Sequence, residues 1–397
     1  MTNTVLGNAV LADGSRVDIR IEKGVIAATA PVGTIAGPTI DLAGALLVPG
    51  FVDGHIHLDK TFLGLPFQPH RPGDTVAERI AREKEFRREL HYPVEERAKH
   101  LIHCVVAHGT TALRSHVDID TEVALSGLHA LLRAREAARD LLDIQIVAFP
   151  QSGIIADPGT ADLLDQAIRH GADLVGGLDP AGIDNDVSGH LEVIFGIAAR
   201  HGVGLDIHLH DPGALGCFEL RQIAERTFAH GLAGRVAVSH AFALGSVDDA
   251  EFGRTAEALA RAGIAIMTNG PGPVPNPPIK RLIAAGVTVF AGSDNIRDAW
   301  SPYGRGDMLE RAMLIGYRQG FLADADLDLA FELGNGAAAR VLGLADHGIR
   351  IGGAADLVAI PAGSISEAVA GHPPRTFVIK RGRLVARDGE LTAAVSL

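Results

Sequence analysis

From residue 46 to residue 295 the chain alternates between two hydrophobic periods. Apolar runs of about six to eight residues are followed by longer stretches whose apolar positions recur at helical spacing. The runs predict strands at ALLVPGFVDGHIH, TTALRSHVDI, LDIQIVAFPQ, ADLVGGLDP, VGLDIHLHD, RVAVSHAF, GIAIMTNGP and VTVFAGSDN. Helices are predicted between them, among others at DTVAERIAREKEFRREL, EVALSGLHALLRAREAARDLL, ADLLDQAIRHG, GHLEVIFGIAARHG and DAEFGRTAEALARAG. Near-continuous apolar strands that alternate with helices are parallel strands covered on both faces. Eight such units over about 250 residues predict an α/β fold, a (β/α)8 TIM-like barrel. A doubly wound open sheet is the alternative, and the missing Gly-rich fingerprint after the first strand counts against it.

The two ends have a different texture. Residues 1–49 read as short strands punctuated by Gly and Asp, and residues 346–397 repeat that pattern. They are expected to pair into one small β-sandwich domain, with the catalytic barrel of residues 50–345 inserted between them.

Composition narrows the class. The 397 residues are 47% hydrophobic and 21% charged, enough for a large core. With 48 acidic against 36 basic residues the formal charge is −12, which gives no electrostatic reason to bind nucleic acid or an anionic membrane. The basic residues of EFRRELHYPVEERAKH alternate with acids and read as a solvated helix face. Two cysteines, Cys104 and Cys217, make no disulfide framework. Cys104 is expected in the core. The N-terminal residues lack a leader pattern and no run approaches the ~18–20 apolar residues of a membrane helix, so a cytoplasmic location is expected. Self-association with further copies of the chain is expected.

The candidate chemistry sits at strand ends. His55 and His57 close the first barrel strand in PGFVDGHIHLDKTF. Residues i and i+2 of a strand point to the same side, so both imidazoles can face one ion. Later strands end in His116 and Asp118, in Gln151, in His208, His210 and Asp211, in His240, and in Asp294 and Asn295. In a barrel of this type chemistry belongs at the C-terminal ends of the strands. One further His and one Asp added to the H-x-H pair give three histidines and a carboxylate, with a coordination position left for water. A divalent ion lowers the pKa of such a water from 15.7 to about 7. The proton needs a carrier, and Asp211, His240 and His210 are the candidates. Strand four, ADLVGGLDP, contains no lysine to be carboxylated as a metal bridge, so one metal ion is expected rather than two.

These segments resemble the amidohydrolase superfamily, in its cytosine deaminase-like branch, over essentially the whole chain. The resemblance rests on the ordered set PGFVDGHIHLDKTF, HVDID, LDIQIVAFPQSGI, DIHLHD, VSHAFA and SDNIRDAWSPYG. It implies that His55, His57, His208 and Asp294 hold one divalent ion, zinc foremost, with iron, manganese or cobalt as alternatives. It implies that His240 orients and deprotonates the water, that Gln151 binds the heterocycle and that Trp300 walls the pocket. Two positions depart from cytosine deaminases: Asp211 stands where they place a glutamate, and Asn295 where they place a second acid. The s-triazine-hydrolysing members share the H-x-H-x-D-K opening, which here ends in Lys60, and also DLVGGLDPA and HLHDPGALG. Lys60 is expected to contact an anionic ring oxygen.

The reaction implied is removal of an amino or alkylamino group from an s-triazine or pyrimidine ring. Cyclic amide opening of the hydantoinase or dihydroorotase type, and cytosine- or isoguanine-type deamination, are the alternative enzyme readings. A silent metal-binding protein would need a broken ligand set, and no ligand is missing. A P-C-x-x-C zinc deaminase motif and a G-x-S-x-G elbow are both absent from the sequence.

Overall fold

The computed structural model describes residues 3–393. Strands β1 (Thr4–Val10), β2 (Arg16–Glu22), β3 (Val25–Pro31), β4 (Thr39–Asp41) and β5 (Leu46–Pro49) come first. Then follow β6 (Phe51–Ile56), β7 (Thr110–Asp118), β8 (Asp143–Phe149), β9 (Leu174–Leu178), β10 (Gly204–Leu209), β11 (Val236–His240), β12 (Ala265–Thr268) and β13 (Thr288–Ala291). Strands β14 (Leu357–Ile360), β15 (Phe377–Lys380), β16 (Arg383–Arg387) and β17 (Glu390–Leu391) end the chain.

Strands β6 to β13 pair in sequence order, all parallel, and each coincides with one of the eight predicted runs. An isolated parallel bridge from Ile56 to Asp294 joins the first strand to the segment after the last, so the sheet closes into a barrel. The helices that cover it are α1 (Val76–Glu89), α2 (Val94–Ala107), α3 (Ser126–Ala138), α4 (Thr160–Arg169), α5 (Val187–His201), α6 (Gly213–Ala229) and α7 (Asp249–Ala262). Helices α8 (Ile279–Ala284), α9 (Met308–Gln319), α10 (Asp324–Leu333), α11 (Gly336–Val341) and α12 (Ile365–Gly371) complete the set. Their ends follow local chemistry. Thr75 and Glu78 form a reciprocal capping box at the start of α1, and Asp248 and Asp307 cap α7 and α9. Left-handed glycines 202, 263 and 320 stop α5, α7 and α9.

The remaining strands form one sheet in the order β17-β16-β15-β14-β5-β1-β2-β3, with β4 beside β1. Its two halves come from opposite chain ends and meet where β14 pairs antiparallel with β5. Leu6, Ile19, Ile26, Leu47, Leu357 and Ile379 belong to its own apolar cluster. Lys380 of β15 donates to Thr111 O (3.0 Å) and to the Asp143 carboxylate (2.7 Å), both at the starts of barrel strands. The sheet is therefore fixed near the N-terminal end of the barrel and leaves the opposite mouth free. Cys217 is buried, and Cys104 is partly buried against the core.

Candidate active site

Barrel closure is glycine-dependent. A Cβ on Gly54 would stand 2.4 Å from the Phe290 ring, and one on Gly292 would stand 2.6 Å from the His55 backbone. With both glycines in place, the end of β13 packs directly on β6. The Asp294 N–H donates to His55 O at 2.8 Å, and Asp294 adopts a left-handed φ of 61°. His240 is also left-handed, with φ of 74°. Such strained non-glycine residues persist only where the surroundings hold them in place. Asp53 Oδ1 accepts from Ser293 N (2.9 Å) and His55 N (3.3 Å), fastening the same seam from inside.

The seam brings the predicted ligands together. Asp294 Oδ1 lies 3.5 Å from His55 Nε2 and 3.4 Å from His57 Nε2, and His57 Nε2 lies 3.4 Å from His208 Nε2. Two ring nitrogens facing each other at that distance are not a hydrogen-bonded pair when both are unprotonated. For metal–ligand bonds of about 2.1 Å, tetrahedral angles separate donor atoms by about 3.4 Å. The four donors therefore fit one divalent ion. His55 Nε2 is also buried with no hydrogen-bond partner, as a ligand atom waiting for a cation would be. Burial keeps His57 and His208 well below the ordinary histidine pKa, hence neutral and able to ligate. Against the upward push of burial, the His55 and His57 imidazoles beside it hold the Asp294 carboxyl well below its usual range.

A supporting layer fixes these ligands. His55 Nδ1 is 2.9 Å from Ser239 Oγ, which donates to Asp206 Oδ1 at 3.1 Å. Asp206 is paired with Arg114 at 2.8 Å. Asn269 Nδ2 donates to the second oxygen of Asp294 at 2.8 Å. His116 is fully buried, its ring centroid 4.1 Å from that of His55. Burial and the neighbouring His55 push its pKa down to about 4. His116 groups with His55, His57 and His208, and His240 groups with His55, His208 and Asp294. His240 packs its ring against His210, centroids 4.4 Å apart. His210 Nδ1 is 2.8 Å from Asp179 Oδ2.

The remaining predicted residues occupy two places. Asp211 Oδ2 accepts from Gly182 N at 2.9 Å, and its carboxylate shares a hydrogen bond with Glu219 of α6. Glu219 is fully buried, and burial together with Asp211 pushes its pKa up to about 8. Lys60, Gln151 and Trp300 meet on the other side. Lys60 Nζ is 3.0 Å from each of Glu83 Oε2, Gln151 Oε1 and Asp118 Oδ1, and its side chain is only 4% exposed. Trp300 Nε1 donates to the same Glu83 carboxylate. Asn295 Nδ2 donates to Asp298 Oδ2 at 2.7 Å. A cavity of about 360 Å³ opens between α1, α2 and the ends of β6 and β7, and Lys60, Glu83 and Asp118 form part of its wall. None of the four candidate ligands lines it, so the Lys60 network divides this cavity from the histidine cluster.

Sequence reasoning gave no role to Ser239, Asp206, Asp179, Glu219, Asn269 or Glu83. Glu83 lies in a helix that reads as highly charged, next to the segment expected to be a solvated face. The structure instead turns Glu83 and Phe86 inward and pairs Arg87 with Asp118 and Asp120. The polar residue within the otherwise apolar RVAVSHAF was the available signal for Ser239.

Comparison with known proteins agrees with this geometry. The model of the amidohydrolase family matches residues 38–393. N-isopropylammelide isopropyl amidohydrolase of Pseudomonas sp. (strain ADP) is 35% identical over 359 residues, covering 89% of each chain. The crystal structure of N-isopropylammelide isopropylaminohydrolase from Burkholderia multivorans ATCC 17616 superposes with a TM-score of 0.95 at 42% identity, over 99% of this chain and 100% of that one. The 5-methylcytosine deaminase from Klebsiella pneumoniae, liganded with 5-fluorocytosine, superposes with a TM-score of 0.86 at 28% identity, over 97% of both chains.

Proposed function

The chain belongs to the amidohydrolase family, and from that premise we propose that it hydrolyses the bond between an amino or alkylamino group and a nitrogen heterocycle of s-triazine or pyrimidine type. The observation that carries this reading is the convergence of His55, His57, His208 and Asp294 from three separate strand ends, with Asp294 Oδ1 3.4–3.5 Å from His55 Nε2 and His57 Nε2, and His57 Nε2 3.4 Å from His208 Nε2. These four residues hold one divalent ion, zinc foremost. When bound, the ion supplies Lewis-acid activation of a water molecule at neutral pH.

The chain supplies the rest. His240, buried beside the ligands and packed on His210, takes the proton of the attacking water. Asp179 fixes the orientation of His210, which in turn supports the His240 ring. Asp211 gives a proton to the departing nitrogen, so that the amine leaves neutral, and the proton taken up by His240 then passes to Asp211 and resets both groups. Gln151, Asn295 and Trp300 hold the ring, and the barrel mouth shields it from bulk water. The names of the similar amidohydrolases and of the deaminase support this substrate class. Self-association and a cytoplasmic location belong to the same proposal. The two cysteines, both free, are compatible with a reducing compartment, and among the described residues no helix is long and apolar enough to cross a membrane.

A panel of aminated and N-alkylated pyrimidines and triazines, incubated with metal-loaded protein, tests the reaction. Release of ammonia or alkylamine with a hydroxylated ring is the expected product pattern. A ring-opened acid would move the assignment to cyclic amide hydrolysis.

A further inference from the structure

The Lys60 ammonium donates to Glu83 and to Gln151, each at 3.0 Å, and Asp118 stands 3.0 Å away as an ion-pair partner. With its side chain only 4% exposed, Lys60 is enclosed by these three groups rather than presented to a substrate. The contact with Gln151 fixes more than position. An ammonium group has donors and no acceptor, so the amide atom facing it must be the oxygen. Gln151 therefore cannot flip, and its Nε2 is left over. That Nε2 is buried and has no partner, in a residue only 3% exposed. Glu83 stabilises the arrangement by accepting from Lys60 and Trp300 on one carboxylate. Gln151 follows β8 by two residues, and the ring of Phe149 at the end of that strand stacks on His208 at 4.1 Å. The orphan donor thus stands at the mouth that holds the metal ligands.

We propose that Lys60 is a positioning residue that selects substrates through Gln151: it locks the amide so that the heterocycle meets a hydrogen-bond donor and no acceptor at this position. Rings that present a carbonyl or enolate oxygen at the exocyclic position facing Gln151 are selected. Rings that present an amino group there leave two donors facing each other. This rests on the heterocycle reading above and names the face of the ring that is recognised.

The test is equilibrium binding to metal-loaded protein, measured by calorimetry with two non-alkylated probes, 2,4,6-trioxo-s-triazine and 2,4,6-triamino-s-triazine. Wild type is expected to bind the trioxo ring at least about tenfold more tightly, the worth of one hydrogen bond to a buried polar group. Gln151→Glu keeps an acceptor for Lys60 and replaces the free donor with an acceptor, so the preference should reverse. The double variant Lys60→Met/Glu83→Gln removes the lock together with the carboxylate that Lys60 alone neutralises, while Asp118 keeps its pairing with Arg87, and its ratio should fall towards one. A double variant that keeps the wild-type ratio would show that Lys60 does not set the amide, and so would a Gln151→Glu variant that keeps the trioxo preference. Equal binding of both rings by wild type overturns the donor-only assignment alone. Binding of neither ring overturns the heterocycle reading as well.

Discussion

Ser239 stands between His55 and Asp206: its hydroxyl is 2.9 Å from His55 Nδ1 and donates to Asp206 Oδ1 at 3.1 Å. With that hydrogen committed to Asp206, the hydroxyl can only accept from His55. The proton of His55 is thereby placed on Nδ1, and Nε2 keeps its lone pair for the ion. Ser239→Ala removes this control. We expect a folded protein whose metal affinity falls by about 10–100-fold, read as faster loss of the ion to a chelator. Unchanged retention would mean that the tautomer is fixed in another way.

Metal content is the most direct check of the centre. About one divalent ion per chain is expected, strongly depleted in His55→Ala, His208→Ala and Asp294→Ala. Elemental analysis of active protein that found no metal would remove the mechanism. A value near two would favour a binuclear site, for which β9 offers no lysine.

Proton transfer can be separated from ligation. His240→Asn and Asp211→Asn should keep the ion and each lose at least about 10²-fold in turnover. Metal loss in His240→Asn would make that residue a ligand, an outcome its grouping with His55, His208 and Asp294 makes worth measuring. If Asp211→Asn turned over at the wild-type rate, proton return would pass to His210, which packs on His240.

Glu219 makes stability depend on pH in a defined window. Burial and Asp211 raise its pKa to about 8 from an ordinary 4.5. Between those values the folded chain holds a proton that the unfolded chain has released. Stability from this group is complete below about pH 4.5 and is lost as the pH rises to about 8. Glu219→Gln keeps an acceptor for the Ala181 N–H, now 2.8 Å from Glu219 Oε1, and a donor for Asp211. The variant should therefore melt higher than wild type at pH 8.5, with a flatter profile between pH 5 and 8. Parallel profiles for the two proteins would rule out Glu219 as the source.

The sequence carried the barrel because buried parallel strands leave continuous apolar runs, and eight of them alternate with helical stretches along this chain. It made the four candidate ligands legible because they end those runs. His55, His57, His208 and Asp294 stand within a few residues of an apolar stretch, and the structure brings all four to one place. It did not carry the partners of those residues. Glu83 reaches Lys60 from a helix outside the barrel, and Asp179 reaches His210 from the neighbouring strand end. Such pairings depend on which helix face turns inward, and a helix as rich in charge as α1 has no apolar stripe wide enough to reveal it. Lys60 shows the consequence: its position beside the ligands was legible, while the three groups that enclose it were not.

Closure of the barrel at Gly54 and Gly292 places His55 and His57 on the first strand and Asp294 just beyond the last. An ion bonded to all three acts as a clasp across the seam. A partly folded chain without the last strand lacks its carboxylate ligand, so tight uptake of metal can only follow the docking of that strand. The rate at which metal becomes resistant to chelation during refolding is then a clock for the docking of that strand.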